Sequence, residues 1–167
     1  MAMAGTGRKE MARQRRSVAR LMAVQALYQQ AMTGAATAPL LAEFHAHRLR
    51  GEAREGELAP AEAGFFDDLV KGAMAREAEL DSRIAAFLTS GWTLERLDPL
   101  MRAILRAGAY EMVARPDVPL AAVVSEYVDV ARAFYPRGEA GFVNALLDRL
   151  GHAARNPSGR PSGGGAA

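Results

Sequence analysis

Six basic residues stand within the first twenty, Arg8, Lys9, Arg13, Arg15, Arg16 and Arg20, against Glu10 alone. Lys9, Arg13, Arg16 and Arg20 recur at spacings of three and four, which places them on one face of a helix. Like charges so close repel one another, and a polyanion that neutralises them relieves that cost. Guanidinium groups fit phosphate through forked hydrogen bonds and lie flat on unpaired bases. A membrane surface would call for large apolar side chains opposite the charges. Ala12, Val18 and Ala19 stand there instead. The pattern fits nucleic acid.

Catalytic chemistry has little to work with. His45 and His47 are two apart and fall on different helical faces, while His152 lies near the end of the chain. These histidines are expected to be solvated, as is the adjacent pair Asp67-Asp68. With no cysteine there is no thiol nucleophile, disulfide scaffold or zinc ribbon. Gly5-Thr6-Gly7-Arg8-Lys9 lacks the long spacing and the preceding strand of a phosphate loop. No serine stands in a nucleophile elbow. The expectation is a binding protein with no catalytic residue, metal ligand or cofactor.

The elements that must position the basic face are helical. Half of the 167 residues are apolar; 35 are alanine, and only ten Val and two Ile are β-branched aliphatics. That composition disfavours a sheet and favours closely packed helices. The first helix is expected from about Lys9 to Met32, with Leu21, Val24, Leu27, Tyr28 and Ala31 on its packing face and Thr33-Gly34 as its stop. Further helices follow from about Pro39 to Leu49, from Ala59-Pro60, and on through Leu80 and Ile84 to Ser90-Gly91. Arg50 to Leu58 reads as a loop. Asp98-Pro99 starts the next helix, Asp as cap and Pro at the first helical position. Within that helix Gly108 is expected to mark a close helix crossing, because an interior glycine otherwise weakens it. Two more helices carry Val123 to Phe134 and Phe142 to Leu150, the last ending near Gly151. The fold expected is all-α, two small helical bundles packed across each other. Its parts are a disordered stretch 1–8, an N-terminal bundle 9–91, a C-terminal bundle 92–154 and a disordered Gly/Pro/Ser tail 155–167. No run approaches the ~20 apolar residues of a membrane span, and no secretory signal opens the chain, so a cytoplasmic location is expected.

Several segments together resemble the NusB family of bacterial transcription antitermination factors. They are Ala23-Val-Gln-Ala-Leu-Tyr-Gln29 after the arginine-rich start, Ile104-Leu-Arg-Ala-Gly-Ala-Tyr-Glu111, Asp117-Val-Pro119, Ser125-Glu126 and Phe142-Val-Asn-Ala-Leu-Leu-Asp148. The resemblance spans about Arg13 to Leu150. It implies a NusB-like pair of bundles and binding of a boxA-type single-stranded RNA together with NusE, a small-subunit ribosomal protein. It further implies entry into the RNA polymerase elongation complex and support of ribosomal RNA transcription. Residue by residue, it puts RNA contacts at Arg13, Arg15, Arg16, Arg20, Tyr28, Phe142 and Asn144. Phe142 is then expected to be partly exposed, on the same side as Arg20 and Tyr28. Where the family often has polar residues before that Phe, this chain has Gly138 and Gly141, with Arg137 and Glu139 beside them. The protein-partner face is placed near Glu95, Met101 and Arg102. The family module also resembles part of certain ribosomal RNA cytosine methyltransferases, but their cysteine nucleophile is missing here. The alternative left is a helical adaptor whose basic head binds an acidic protein rather than RNA.

Overall fold

A computed structural model describes residues 2–49 and 60–156, with side chains from Gly5 onward. The expected loop 50–58 and the tail beyond Asn156 lie outside the described residues. Among the described residues seven α-helices follow one another: α1 (Ala2–Thr33), α2 (Thr37–His47), α3 (Ala63–Ala75), α4 (Glu77–Ala85), α5 (Pro99–Ala114), α6 (Leu120–Phe134) and α7 (Glu139–Arg155). A 3-10 turn, Leu94–Arg96, precedes α5, and no strand occurs among the described residues. The all-α expectation holds.

Helix α5 is the centre. It packs against α1, α3, α4, α6 and α7, and the buried residues form one continuous core. Its start is the one the sequence foretells. Asp98 takes a hydrogen bond from the Met101 N–H at 3.0 Å, and Pro99 occupies the first turn. Such a cap contributes about 1 kcal/mol. Gly108 also behaves as expected. A Cβ there would stand 2.7 Å from Leu147 Cδ1 and 3.3 Å from Tyr127 Cδ2, so its absence lets α7 and α6 close onto α5. Gly72, which periodicity does not single out, does the same for the Tyr110 ring.

Several boundaries differ from the sequence reading; α3 starts at Ala63 and α4 ends at Ala85, short of Ser90-Gly91. Helix α1 begins at Ala2, not near Lys9: the helical turns run on through Gly5, Thr6 and Gly7 in spite of their low helix propensity. The long helix expected through Leu88 breaks at Arg76, where φ is −110° and the Arg76 guanidinium turns to Glu79 at 2.8 Å. Gly151 does not end α7. It is buried against Met112 and Leu120, and the helix runs on to Arg155. Arg155 then donates to the carbonyls of Met112, Arg115 and Val118 at 2.6–3.1 Å. A cation there satisfies carbonyls at the C-terminal end of α5 that have no helical partner.

Candidate nucleic-acid interface

From Gly5 to Arg15 every residue of α1 is exposed, and continuous burial begins only at Val18. The first turns therefore form an arm, and those eleven residues extend about 16 Å. It meets the body at Arg15, whose carbonyl accepts the Glu62 N–H at 3.1 Å. Along the arm Arg13 is 75% exposed, and its one ion pair among the described residues is with Glu10 at 3.9 Å. So extended a contact in water is weak, and Arg13 stays available to a polyanion. Arg15 is exposed as well. Arg16 is already engaged in part: Nε donates to Glu62 at 3.2 Å, and its Cζ stands 5.0 Å from the Phe65 ring centre.

Arg20 corrects the sequence reading. It shares the helical face of Arg13 and Arg16 but is 4% exposed. Its guanidinium donates to both Glu111 oxygens at 2.6–3.1 Å and lies 3.5 Å from Glu126. Tyr127 donates its hydroxyl to Glu111 at 2.9 Å, and Ser17 to Glu126 at 2.9 Å. Burial works to lower the Arg20 pKa, but the hydrogen bond and charge of Glu111 outweigh it and hold the group above its ordinary value. Burial, then the Glu111 charge, push the Tyr127 hydroxyl well above its usual range. Arg20 is thus neutralised from within and offers no cation to the surface. A position three or four residues further along the same face has turned into the junction of α1, α5 and α6.

The remaining residues fall into separate places. Tyr28 is exposed near the far end of α1. Asn144 is exposed on α7 and lines a groove with Ser125, Asp129 and Arg132. Phe142 is half-buried, so it is partly exposed as expected, but its neighbours are not those of Tyr28 and Arg20. It lines a cleft with Trp92, Arg96, Leu97, Met101 and Arg137, and no residue of α1 takes part. Physically, Phe142 sits at the start of α7, which packs on α5 and α6. Glu95 is exposed, Met101 is buried as the floor of that same cleft, and Arg102 is half-buried.

Sequence reasoning missed three residues that shape these surfaces. Phe65 is buried and gathers the guanidinium groups of Arg16, Arg20 and Arg115 at 5.0–5.2 Å from its ring. Arg115 itself is tied to Asp68 at 3.1 Å. Trp92, read only as a boundary, is 52% exposed. A lone tryptophan directly after Gly91 was the available signal. Nor are the acids and histidines idle: His45 Nε2 lies 2.6 Å from Asp67, and Tyr110 donates to Asp68 at 2.6 Å. Both pairs bridge helices, which a count of sequence neighbours does not reveal.

A profile of the NusB family matches residues 17–152. The chain belongs to the NusB family. It is 58% identical over 142 residues to the transcription antitermination protein NusB of Sphingopyxis alaskensis, covering 85% of this chain and 95% of that protein. Identity to the NusB of Novosphingobium aromaticivorans is 54% over 135 residues, covering 81% and 91%. The fold is similar to that of a chain in a crystal structure of the antitermination factors NusB and NusE in complex with dsRNA. There the TM-score is 0.68 at 23% identity, over 83% of this chain and 96% of that one. At that identity the likeness is one of fold. Within the NusB frame, Arg13, Arg15 and Arg16 precede the matched span, whereas Arg20, Tyr28, Phe142 and Asn144 fall inside it.

Proposed function

We propose that the protein is an RNA-binding transcription antitermination factor rather than an enzyme. In this reading it binds a boxA-type single-stranded RNA together with NusE. The pair then joins the RNA polymerase elongation complex and keeps ribosomal RNA transcription processive. The observation that carries the reading is the arm: Arg8, Lys9, Arg13 and Arg15 stand exposed on a helix with no apolar face to bury, joined to a NusB-family body. An unpacked cationic helix gains most from a phosphate chain, which neutralises it and needs no shaped pocket. Relatives over half identical bear the name of antitermination proteins, which supports the same reading. Arg13, Arg15 and Arg16 hold phosphates in it, Tyr28 and Phe142 meet bases, and Asn144 adds a polar contact. Glu95 and Arg102 belong to the protein-partner side, on a C-terminal half running over 92–154, whereas Met101, 4% exposed, lies beneath that surface. The place of work is the cytoplasm; no helix among the described residues is long and apolar enough to cross a membrane.

The test is a filter-binding titration of the full chain against a boxA-type RNA and a scrambled control, with and without NusE. Preferential binding of the boxA-type RNA, tightened by NusE, is expected. Equal and weak binding of both RNAs, with a partner retained in pull-downs after ribonuclease digestion, would return the basic head to a protein adaptor.

A further inference from the structure

We propose that Trp92 and Glu139 form, with Phe142, a clip for one unpaired, amino-bearing nucleobase; the proposal rests on the RNA-binding reading above and adds two residues to it. The cleft they line measures about 490 Å³, within the ~300–1,000 Å³ of small-molecule sites. Two aromatic rings stand in its walls, Trp92 half-exposed and Phe142 half-buried, with Met101 and Leu97 as an apolar floor. Flat aromatic surface with water on one side is the platform on which bases stack.

The rim has the charge of a phosphate site. The Arg96 guanidinium lies over the indole, 5.4 Å from its ring centre. Arg137 is exposed, and no ion pair engages it among the described residues. A nucleotide whose base enters the cleft would bring its phosphate to these two cations.

Two carboxylates line the cleft, and they differ. Asp98 is committed, accepting from the Met101 N–H and from the Tyr135 hydroxyl at 2.7 Å. Glu139 is not: its Oε2 is shut off from solvent and meets no donor among the described residues, so it reaches a base only when the side chain turns into the cleft. A buried carboxylate oxygen without a donor is unfavourable until one arrives. The exocyclic amino group of cytosine, adenine or guanine is such a donor, and glutamate accepts from cytosine N4 in this way. Uracil has only its ring N3–H to give, flanked by two carbonyl oxygens that repel a carboxylate. The chain lacks a polar side chain at Gly138 and Gly141, and Glu139 supplies one between them.

Trp92 is the only tryptophan, so its emission reports on the cleft directly. The full chain is titrated with oligocytidylate and oligouridylate of about twelve nucleotides, a length within the span of single-strand sites, while bound RNA is counted by filter binding. Both are pyrimidines, so stacking differs little and the amino group decides. Oligocytidylate is expected to quench Trp92 and to bind about fivefold tighter or more than oligouridylate. Glu139→Gln should bring the two close together with the thermal melt unchanged. Trp92→Ala should weaken boxA-type RNA binding about tenfold, and Trp92→Phe much less. RNA retained on the filter with Trp92 emission unmoved and Trp92→Ala binding like the parent overturns the clip and leaves the RNA-binding reading intact. Emission that responds to NusE but not to RNA makes the cleft a protein-docking face and overturns it equally. A chain that binds no RNA in either assay overturns both.

Discussion

Arg20 on α1 and Glu111 on α5 form a two-pronged buried ion pair, with Arg20 Nε 3.0 and 3.1 Å from the two carboxylate oxygens and Nη2 2.6 Å from Oε1. They are 4% and 0% exposed. Across the same junction Tyr127 and Glu126 bring in α6, and Phe65 brings in α3. The last arginine of the basic series thus fixes the helix from which the arm projects, and the arm's direction follows from it.

Removing one side of that pair should be far worse than removing both. Glu111→Ala leaves a buried guanidinium without its counter-charge, and a loss of roughly 3–5 kcal/mol is expected. The double variant Arg20→Met with Glu111→Leu should recover most of it, since apolar residues of similar volume replace a desolvated pair at little loss. Urea unfolding of the two singles and the double gives the coupling. Single variants no less stable than the double would remove the ion pair from the account of the junction.

The arm should govern salt dependence, and Arg20 should not. Replacing Arg13 and Arg15 with Ala is expected to flatten the slope of log affinity against log salt by about 1.4, at ~0.7 per phosphate on a single strand. Their exposure predicts an unchanged melt. For Arg20→Met the reverse holds: a lower melting temperature and a parental slope in the folded protein. Titrations at several salt concentrations separate the two cases, and a flattened slope in Arg20→Met would put that arginine back on the RNA.

Gly108 gives a packing test. Leu147 and Tyr127 already occupy the space a side chain would need, so Gly108→Leu should destabilise by about 1–3 kcal/mol through overpacking. A variant that melts with the parent would mean that α7 can slide away from α5 freely.

Alkaline unfolding should begin in the tyrosines. Burial, and then the hydrogen bond to Asp68, push the Tyr110 pKa from 10.0 up to about 12. The folded protein keeps a proton that the unfolded chain releases above pH 10. Stability from this group is therefore complete below about pH 10 and falls as pH rises towards 12. Tyr127, raised well above its ordinary value, acts in the same direction. Tyr110→Phe should flatten the decline between pH 10 and 12 in a urea-unfolding series. A slope equal to the parent's would show that this hydroxyl is not what the folded state protects.

What the sequence determined is what nearest neighbours along a helix determine. Asp98-Pro99 starts α5 because a cap and a fixed φ act within one turn. The alanine-rich composition and the three-and-four spacing yield helices before any of them meet. Gly108 was legible as a crossing because an interior glycine needs a reason. The exposed arm was legible too, since charge without apolar neighbours stays in water. Tertiary structure decided the rest. Spacing puts Arg20 on the face of Arg13 and Arg16, but whether that face meets water or Glu111 depends on a residue 91 positions away. Spacing puts Phe142 at the start of a helix; that Trp92 stands in the same cleft follows only from the packing of α7 on α5, beside the 3-10 turn. Helical periodicity specifies a direction around one axis; which neighbour lies in that direction is set only when the axes cross.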